Sequence, residues 1–393
     1  MKIINDSKKI EELLSRGIAE VIDKDDLRRK LLSGQKLRVK LGIDPTSANI
    51  HLGRSIPLLK LRDFQELGHQ IIFIIGDFTG IIGDTSDKTS ERPMLEEKTI
   101  KENIKNYVAQ AKKVIDTSKC EVHYNSEWLK KLRYQEIGEQ ANVFSINEFI
   151  SRENISRRLE AGSRVSLREV LYPLMQGYDS VMVKADVEIG GTDQKFNLLA
   201  GREIQRHYGQ VPQNIITNPI IEGLDGRKMS SSWGNTVNLL DSAQDMFGKI
   251  MSLRDESIIN YFTLVTRLDL ATVAEYKQAL AGGANPRDYK LKLAKEIIKF
   301  YFSEGEAEEQ EANFIRTFSQ KEMPDEIRTF KPHAYDLVSI LVDSGLVSSR
   351  TEAKRVIEQG GVKLNQVVEK DPNAVVQPEV VIQKGKINFL KIL

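Results

Sequence analysis

The sequence predicts an α/β protein: a Rossmann-like, doubly wound parallel sheet with a helical insertion, followed by a helical domain and a small C-terminal α+β domain. Short apolar runs at residues 37–43, 70–76 and 181–189 alternate with longer helical patterns, and this alternation is typical of strand–helix–strand units. The pattern becomes nearly continuous helix over residues 241–318 and changes again after residue 332. Each change marks an expected domain boundary.

Five segments follow from these changes: a first domain at 1–238, a mostly helical insertion within it at about 117–168, a helical domain at 239–320, a linker at 321–332 and a small domain at 333–393. The linker is expected because Pro324 and Pro332 stand there among charged residues.

Composition limits the class of protein. A chain of 393 residues, 40% of them hydrophobic, is long enough for several domains with buried cores. The formal net charge is +1, so contacts with nucleic acid must come from local basic clusters. The single cysteine, Cys120, argues against a disulfide framework and a cysteine metal cluster. Residues 1–24 lack an apolar signal core, and no run of about 18 apolar residues occurs. We therefore expect a cytoplasmic protein without a membrane span.

The first segment that suggests chemistry is His51-Leu52-Gly53-Arg54. It follows the apolar run at 37–43 and precedes a helical pattern, so it is expected at a helix entrance. A helix N-terminus offers unpaired backbone N–H groups and a positive dipole, and Gly53 removes a side chain that would hold a nucleotide away. His51 and Arg54 stand three residues apart and share one face of the helix. Such a site favours polyphosphate.

The second segment, Lys228-Met229-Ser230-Ser231-Ser232, lies in a loop after a short apolar run at residues 214–221. A lysine on such a loop can move onto developing negative charge, and neighbouring hydroxyl groups can donate hydrogen bonds. Either segment alone is more often a surface turn or a solvated loop. Their order, and the apolar runs before both, favour a site that holds ATP and stabilises a departing pyrophosphate.

These two segments resemble the HIGH and KMSKS signatures of the class I aminoacyl-tRNA synthetases. Over nearly its whole length the chain is similar to the bacterial tyrosyl-tRNA synthetases, through Leu-Gly-Ile-Asp-Pro-Thr at 41–46, Gly-Ile-Ile-Gly-Asp at 80–84, Tyr-Pro-Leu-Met-Gln-Gly-Tyr-Asp at 172–179 and Gly-Gly-Thr-Asp-Gln at 190–194. The resemblance implies that the first domain binds the nucleotide and is catalytic, that the helical domain binds the anticodon, and that the insertion carries a homodimer interface.

A cluster of polar residues suggests an amino-acid pocket. Tyr172, Gln176 and Asp179 are spaced i, i+4, i+7, so they share one helix face. Their neighbours are apolar, which a solvated polar stripe would explain poorly. Gln194 follows a Gly-Gly pair that is expected to end a strand, and open α/β sheets bind ligands at strand ends. These side chains are expected to converge on one crevice.

The resemblance gives these side chains roles. It implies that the ammonium group of tyrosine is held by Asp84, Tyr172, Gln176 and Gln194. It also implies that Asp179 accepts a hydrogen bond from the phenol hydroxyl. A carboxylate placed to accept that bond disfavours phenylalanine, which leaves it unpaired; this discrimination is carried over from the family.

An ATP site is implied in the same way. Its residues are Asp44, Thr46, His51, Gly53, Arg54, Lys228, Met229 and Ser230. The catalytic contacts are expected from His51, Arg54, Lys228, Ser231, Lys88 and Arg92. The last two match residues of a mobile loop that closes on pyrophosphate; an exposed loop charge is the simpler alternative for them.

Three positions depart from the family pattern. Arg54 replaces the last histidine of HIGH and keeps a cation with a different reach. Ser231 replaces the second lysine of KMSKS, so Lys228 must carry more of the charge. Lys40 is a tyrosine-binding position at which many members have a tyrosine that contacts the substrate phenol. Phenol recognition is therefore expected to depend more on Asp179.

The C-terminal segment has a helix start of its own. Ser349 and Glu352 form a capping box before a short helix, and a Gly-Gly pair then precedes a strand-like run at residues 362–365. From the residues alone, a small α+β module without RNA binding is the simpler interpretation. The segment resembles the small RNA-binding domain first known from a ribosomal protein, which favours phosphate contacts from Arg350, Lys354, Arg355 and Lys363.

The resemblance thus implies a tyrosine–tRNA ligase. Such an enzyme activates L-tyrosine with ATP, with Mg²⁺ accompanying the nucleotide, and transfers tyrosine to the 3′ end of tRNA(Tyr); no metal held by protein ligands is expected. A tryptophanyl-tRNA synthetase-like ligase and a catalytically idle RNA-binding paralogue are the alternatives. A small nucleotidyltransferase with a similar histidine motif would leave residues 241–393 unexplained.

Overall fold

Two β-sheets organise the chain, one in each of its two units, Met1–Phe302 and Ser303–Leu393. The structure, a computed structural model, describes residues 2–85, 94–319, 327–385 and 388–393. The boundary between the units falls after Phe302, and the functional division expected at residues 238/239 stays a prediction.

The strands of the first unit are β1 Glu20–Ile22, β2 Arg38–Ile43, β3 Gln70–Ile75, β4 Cys120–Tyr124, β5 Val187–Gly191 and β6 Asn214–Asn218. Its α-helices are α1 Ser7–Leu13, α2 Lys24–Leu32, α3 Leu52–Glu66, α4 Thr79–Ile82, α5 Glu97–Ile104, α6 Tyr107–Ala111, α7 Ser126–Leu129, α8 Tyr134–Ala141, α9 Ile146–Ile150, α10 Glu153–Glu160, α11 Leu167–Met182, α12 Lys195–His207, α13 Ala243–Met251, α14 Ile258–Val265, α15 Leu270–Ala281 and α16 Pro286–Tyr301.

The first sheet has the strand order β1-β6-β5-β2-β3-β4. Strands β2 to β6 are parallel, and β1 joins β6 antiparallel at one edge. The chain builds outward from β2 through β3 to β4, and then returns to the other side of β2 with β5 and β6. Strand order therefore reverses between β2 and β5, and the crevice at such a switch point is where doubly wound sheets bind ligands. The predicted fold class is confirmed.

The second unit contains α17 Glu304–Ser319, β7 Arg328–Phe330, α18 Leu337–Asp343, α19 Arg350–Glu358, β8 Val362–Leu364, β9 Val367–Glu369, β10 Val381–Lys384 and β11 Asn388–Ile392. Its sheet has the order β7-β11-β10-β8-β9, with β7 parallel to β11 and the other pairs antiparallel. A core of buried aliphatic side chains, among them Leu337, Ile357 and Ile382, joins the helices to the sheet.

Four elements differ from the sequence-based expectations. The strand expected at 181–189 begins only at Val187, because α11 continues to Met182, and a short apolar run fits a helix end as well as a strand. The helix expected over 94–115 is divided into α5 and α6. Strand β4 lies inside the expected insertion, and its half-buried side chains leave a weak apolar pattern. Residues 321–326 of the expected linker lie outside the described residues; in the rest of it, β7 is three residues long and pairs with β11 at the sheet edge.

Candidate active site

A cavity of about 270 Å³ opens at the carboxyl ends of β2, β3, β5 and β6. Of the predicted ATP, tyrosine and catalytic residues, its lining includes Asp44, Thr46, His51, Gly53, Arg54, Asp84, Tyr172, Gln176, Asp179, Gln194, Lys228, Met229, Ser230 and Ser231. Residues from widely separated parts of the sequence, from Asp44 to Ser231, therefore meet in one crevice. Lys88 and Arg92 lie outside the described residues.

His51 caps the N-terminus of α3. Its Nδ1 accepts a hydrogen bond from the backbone N–H of Arg54 at 3.3 Å. Burial, and then the charges of Arg54 and Lys228, lower the pKa of His51 to about 3. The ring is therefore neutral at pH 7, and because Nδ1 is an acceptor the proton sits on Nε2. His51 can donate one hydrogen bond to a phosphate without itself carrying charge.

Gly53 brings the two signature segments together. Its backbone N–H donates to Met229 Sδ at 3.3 Å. A Cβ at this position would stand 3.1 Å from the His51 ring and 3.3 Å from Ile221 Cγ2. A side chain at residue 53 would therefore press apart the first turn of α3 and the loop that carries Lys228.

The loop after β6 is held by its own hydrogen bonds. The backbone N–H of Met229 donates to the carbonyl of Ile221 at 2.9 Å, and that of Ser230 donates to Asn235 Oδ1 at 2.8 Å. Lys228 Nζ reaches Asp193 Oδ2 at 2.9 Å. This ion pair is only partly buried, so the ammonium group can exchange one anionic partner for another.

Asp44 follows β2 and is fixed by two hydroxyl groups. Thr79 Oγ1 donates to Oδ1 at 2.7 Å, and Tyr172 Oη donates to Oδ2 at 2.8 Å. Burial and the neighbouring carboxylates raise the pKa of Tyr172, so its hydroxyl remains a donor. A Cβ at Gly76 would overlap Asp44 Oδ1, and the residue that follows β3 is therefore required to be glycine.

Asp179 lies on the floor of the cavity and is 3% exposed. Trp128 Nε1 donates to Oδ1 at 2.7 Å, and Asn125 Nδ2 donates to Oδ2 at 3.2 Å. Burial nevertheless outweighs the charge of Lys40 and these two donors, and it raises the pKa of Asp179 to about 7. This carboxyl group therefore titrates near neutral pH.

The remaining predicted tyrosine ligands in the cavity are held by neighbouring polar groups. Gln194 Nε2 donates to Asp84 Oδ2 at 2.7 Å, and Gln194 Oε1 accepts from Asn197 Nδ2 at 3.0 Å. Gln176 lies one turn before Ser180 on α11, and its Nε2 donates to Glu188 Oε1 at 3.1 Å. Each of the two glutamine amides thus has a carboxylate that fixes its orientation.

Lys40 is placed differently from the other predicted tyrosine ligands. Its side chain is 0% exposed, and it is not among the described residues that line the cavity. Its Nζ binds the backbone carbonyl of Gln176 at 2.9 Å and Glu188 Oε1 at 2.8 Å. This position behind the cavity gives no support to a direct contact with the phenol.

Sequence reasoning missed Thr79, Asn125, Trp128 and Glu188. Asn125 directly follows β4, so a prediction of that strand would have placed it at the same edge as the other site residues. Glu188 is the one charged residue of the short run at 187–191, which is otherwise made of apolar residues and glycine. A single charge in such a run indicates a buried charge with a partner.

The predicted RNA contacts lie on the second unit. Arg350, Lys354 and Arg355 are exposed on α19, and Lys363 is half-buried on β8. Arg350 Nη1 also donates to Ser339 Oγ at 3.2 Å. Three cations thus share a short helix. Within the described part of the chain, no helix is long and apolar enough to cross a membrane.

Comparison with known proteins connects these sites to a family. A profile of the tRNA synthetases class I (W and Y) matches residues 32–319, and a profile of the S4 domain matches residues 337–382. The tyrosine–tRNA ligase of Carboxydothermus hydrogenoformans is 44% identical, with 99% of each chain covered. That of Moorella thermoacetica is 45% identical, with 97% of this chain and 94% of the relative covered.

Solved structures show the same fold. Tyrosyl-tRNA synthetase from Archaeoglobus fulgidus, complexed with L-tyrosine, is 23% identical and superposes with a TM-score of 0.61 over 78% of this chain and 99% of its own. A C-terminally truncated mitochondrial tyrosyl-tRNA synthetase from Aspergillus nidulans, at 20% identity, gives 0.67 over 79% and 94%. Taken with the family profile and the relatives that match nearly from end to end, this places the chain in the class I tRNA synthetases, in the tyrosine–tRNA ligase family.

Proposed function

We propose that this chain joins L-tyrosine to tRNA(Tyr) in two steps within the cavity described above. In the first, a tyrosine carboxylate oxygen attacks the α-phosphorus of ATP. The bond between that phosphorus and the oxygen that bridges the α- and β-phosphates breaks, and pyrophosphate leaves. In the second, a 3′-terminal hydroxyl of the tRNA attacks the carbonyl carbon of the adenylate, and AMP leaves. The observation that carries the proposal is the meeting of both signature segments with Asp179 and Gln176 in a single crevice.

The triphosphate end of the proposed site is the N-terminus of α3. Backbone N–H groups of the first helical turn and the helix dipole favour phosphate there. His51 adds a neutral donor, because burial lowers its pKa to about 3. Thr46, Met229 and Ser230 also line the cavity and are proposed to contact the nucleotide, together with Asp44.

The tyrosine end is proposed to lie between α11 and the end of β5. The carboxylates of Asp84 and Asp179 and the polar groups of Tyr172, Gln176 and Gln194 all line the cavity. An ammonium group needs acceptors, and a phenol hydroxyl needs one acceptor placed at the far end of the ring. Asp179 has both of its oxygens already hydrogen-bonded, which holds the carboxyl group in position for that contact.

Catalysis in this proposal comes from electrostatics and positioning. Lys228 pairs with Asp193 in the structure and would turn to the negative charge that grows as pyrophosphate leaves. Arg54 and Ser231 also line the cavity and are proposed to assist, as are Lys88 and Arg92. No side-chain nucleophile enters the mechanism, because the substrate carboxylate is the attacking group.

Magnesium is proposed to arrive with ATP, bound to phosphate oxygens. Within the described residues, no group of three or more His, Cys, Asp and Glu side chains is arranged to hold a metal ion. The proposal assigns the ion no protein ligands. Its charge would reduce the repulsion between the carboxylate that attacks and the phosphates.

The proposed partners of the chain are tRNA and a second copy of itself. The S4 profile over residues 337–382 and the cations of α19 support tRNA binding by the second unit, and the synthesis of charged tRNA supports a cytoplasmic location. Three large apolar side chains of the insertion, Tyr134, Ile146 and Leu167, are 94%, 57% and 68% exposed. Exposed apolar side chains of this size support a homodimer interface there.

The test of the proposal is tyrosine-dependent exchange of labelled pyrophosphate into ATP. The expected result is exchange with L-tyrosine and none with L-tryptophan at the same concentration. Exchange that depends on tryptophan would instead identify the other specificity of the family. A chain that supports no exchange with either amino acid, yet binds tRNA, would be a binding protein and would overturn the proposal.

A further inference from the structure

Lys40 and Glu188 form an ion pair in the interior of the first unit, behind the cavity. The two residues are register partners on the neighbouring strands β2 and β5. Their side chains are 0% and 1% exposed, and Lys40 Nζ lies 2.8 Å from Glu188 Oε1. Neither residue is among the described residues that line the cavity. Two buried charges are costly unless further hydrogen bonds satisfy them.

Such hydrogen bonds are present, and most of them hold α11. Besides Glu188, Lys40 Nζ has two acceptors, the carbonyl of Gln176 at 2.9 Å and Ser180 Oγ at 2.8 Å. Ser180 Oγ in turn donates to Glu188 Oε2 at 3.1 Å. The Gln213 amide donates to the same oxygen. All three ammonium hydrogens and both carboxylate oxygens thus have partners, and α11 is held on two successive turns.

The side chain of Gln176 is held by the same carboxylate. Its Nε2 donates to Glu188 Oε1 at 3.1 Å. An ionised carboxylate can only accept hydrogen bonds, so only the NH₂ end of the amide can face it. The amide oxygen is then the end left for the cavity, which Gln176 lines. An ammonium group in the cavity requires such an acceptor.

We propose that Lys40 and Glu188 are positioning residues, which fix the amide of Gln176 so that its oxygen faces the ammonium group of tyrosine. This inference rests on the proposed function. Lys40 and Glu188 act on the tyrosine site from outside the cavity, through Gln176. Lys40 keeps Glu188 an acceptor. Without the ammonium group, Glu188 loses a partner at 2.8 Å and becomes a buried charge without its cation, so it is no longer held where Oε1 meets the Gln176 amide. The Gln176 amide could then turn and present N–H to a cation, which repels it.

The test compares two ligands that differ only in the ammonium group: L-tyrosine and 3-(4-hydroxyphenyl)propionate. The wild-type protein should bind tyrosine more tightly. In Glu188→Gln the side chain at 188 can donate as well as accept, so the orientation of Gln176 is no longer fixed. We expect tyrosine to bind at least roughly tenfold more weakly, with binding of the deaminated ligand changed by less than about twofold.

Two further variants separate positioning from general damage. Lys60→Met removes another lysine, buried to 3% exposure, that is not among the described residues lining the cavity, and it should leave the preference between the two ligands intact. A double-mutant cycle combines Glu188→Gln with Gln176→Met, which removes the amide. In the Gln176→Met background, Glu188→Gln should reduce the preference for tyrosine over the deaminated ligand only a little further, because both changes act through one group. If Glu188→Gln does not fold, Lys40→Met/Glu188→Met replaces the pair by apolar side chains, which proteins often tolerate, and should lose the same preference.

The outcomes are distinct. Equal weakening of both ligands in Glu188→Gln, or an unchanged preference for tyrosine, would overturn the positioning role while wild-type exchange still upholds the proposed function. Additive effects of Glu188→Gln and Gln176→Met would also overturn it. A wild-type protein that binds no tyrosine would overturn the proposed function itself.

Discussion

Arg54 and Ser231 reach the same hydroxyl group from the two signature segments: Arg54 Nη1 lies 3.5 Å from Ser47 Oγ, and Ser231 Oγ lies 3.4 Å from it. The guanidinium of Arg54 is further held by Thr46 Oγ1 at 2.9 Å and by the hydroxyl of Tyr107. One segment thus has an arginine in place of a histidine, and the other has a serine in place of a lysine. Two of the three departures from the family pattern therefore meet at Ser47.

Arg54→His should therefore slow adenylate formation, although it restores the residue usual in the family. Of the two signature residues that meet at Ser47, the change removes the one that carries a cation, and removal of one donor to developing phosphate charge costs on the order of 100-fold in rate. The measurement is the pyrophosphate exchange rate at saturating tyrosine and ATP.

Ser231→Lys in the Arg54→His background supplies the control for this prediction. The added lysine returns a cation to the same place, so exchange should recover by at least roughly tenfold, and the two changes should be non-additive. A double variant as slow as Arg54→His alone would show that Arg54 and Ser231 act independently.

Lys228→Ala should depress adenylate formation and leave tyrosine binding nearly unchanged. Its ammonium group has Asp193 as a partner in the ground state, and it is expected to meet charge that develops only as pyrophosphate leaves. Removal of such an interaction costs about 10²–10³ in rate. Exchange rate constants and tyrosine affinity should be compared in one preparation.

The matched control is Arg227→Ala in the same loop. Arg227 is paired with Asp225 and lies 4.7 Å over the Trp233 ring, and it is not among the described residues that line the cavity. Its removal should change the exchange rate little. Equal decreases in rate and in tyrosine affinity in Lys228→Ala would assign Lys228 to ground-state binding or to loop structure.

The alternation of apolar runs and helical patterns predicted the sheet and its crevice correctly, because β2, β3 and β6 are buried strands bounded by polar turns. It failed where one apolar run serves two elements, as at Val181 and Met182, which end α11 rather than begin β5. Periodicity cannot divide such a run. Strand β4 was not predicted for the opposite reason, since its half-buried residues form no apolar run.

The site residues were predictable in proportion to how local their signal is. Tyr172, Gln176 and Asp179 share a helix face, so their spacing was enough to predict that they meet in one cavity. The partners that hold them are distant in sequence: Asn125 and Trp128 reach Asp179 over 54 and 51 positions. The pairing of Lys40 with Glu188 shows the same limit, because it depends on the register of β2 against β5, which no local pattern encodes.

Tyrosine binding should tighten as pH rises from about 6 to 8, and phenylalanine binding should not. Burial raises the pKa of Asp179 to about 7, so the carboxyl group becomes a full carboxylate only over this range. A hydrogen bond to a charged acceptor contributes about 1.5–3 kcal/mol. Because the ionised fraction of a group with a pKa of about 7 rises about tenfold between pH 6 and 8, tyrosine affinity should increase over this range by up to about tenfold. Dissociation constants for both amino acids should be measured across the range.

Asp179→Asn keeps the size of this side chain and removes its titration. The variant should bind tyrosine weakly at every pH and prefer it less over phenylalanine. Should both amino acids weaken together, Asp179 supports the fold rather than the phenol contact.

Acid should destabilise the protein partly through His51. Its pKa is lowered to about 3, from 6.5, chiefly by burial. The unfolded chain therefore takes up the proton first, so the contribution to stability is complete above pH 6.5 and is lost as pH falls toward 3. Within that window one proton changes the free energy of unfolding by about 1.4 kcal/mol per pH unit.

His51→Asn retains a side-chain acceptor at the N-cap and cannot titrate. The free energy of unfolding, measured by urea denaturation, should then depend less steeply on pH between about 4 and 6. The slope should fall by up to about 1.4 kcal/mol per pH unit, which corresponds to one proton. His69, whose pKa burial lowers to about 4, should contribute a comparable slope that His69→Asn removes. Identical slopes in wild type and His51→Asn would mean that folding does not lower the pKa of His51.

Ending the chain after residue 326 should leave tyrosine activation intact and sharply reduce tRNA charging. This end point precedes β7, which pairs with β11 of the second sheet, so no strand of the described residues is left without its partner. All described residues that line the cavity belong to the first unit. The second unit supplies exposed cations, and cations that neutralise phosphates give affinity that falls steeply with salt.

The full-length chain offers a finer version of this experiment. Replacing Arg350, Lys354 and Arg355 by glutamine should weaken tRNA binding and lower the slope of log affinity against log salt by about one for each phosphate that is no longer neutralised. Lys370→Gln, an exposed lysine of the same unit outside the proposed RNA-binding set, should alter neither quantity. Because activation requires no tRNA, the exchange rate of every variant should match that of wild type. For the truncation after residue 326, the contradicting outcome is a chain that charges tRNA, at limiting tRNA, as fast as the intact one. The cations of the second unit would then contribute nothing to tRNA affinity, and the assignment of RNA binding to that unit would be wrong.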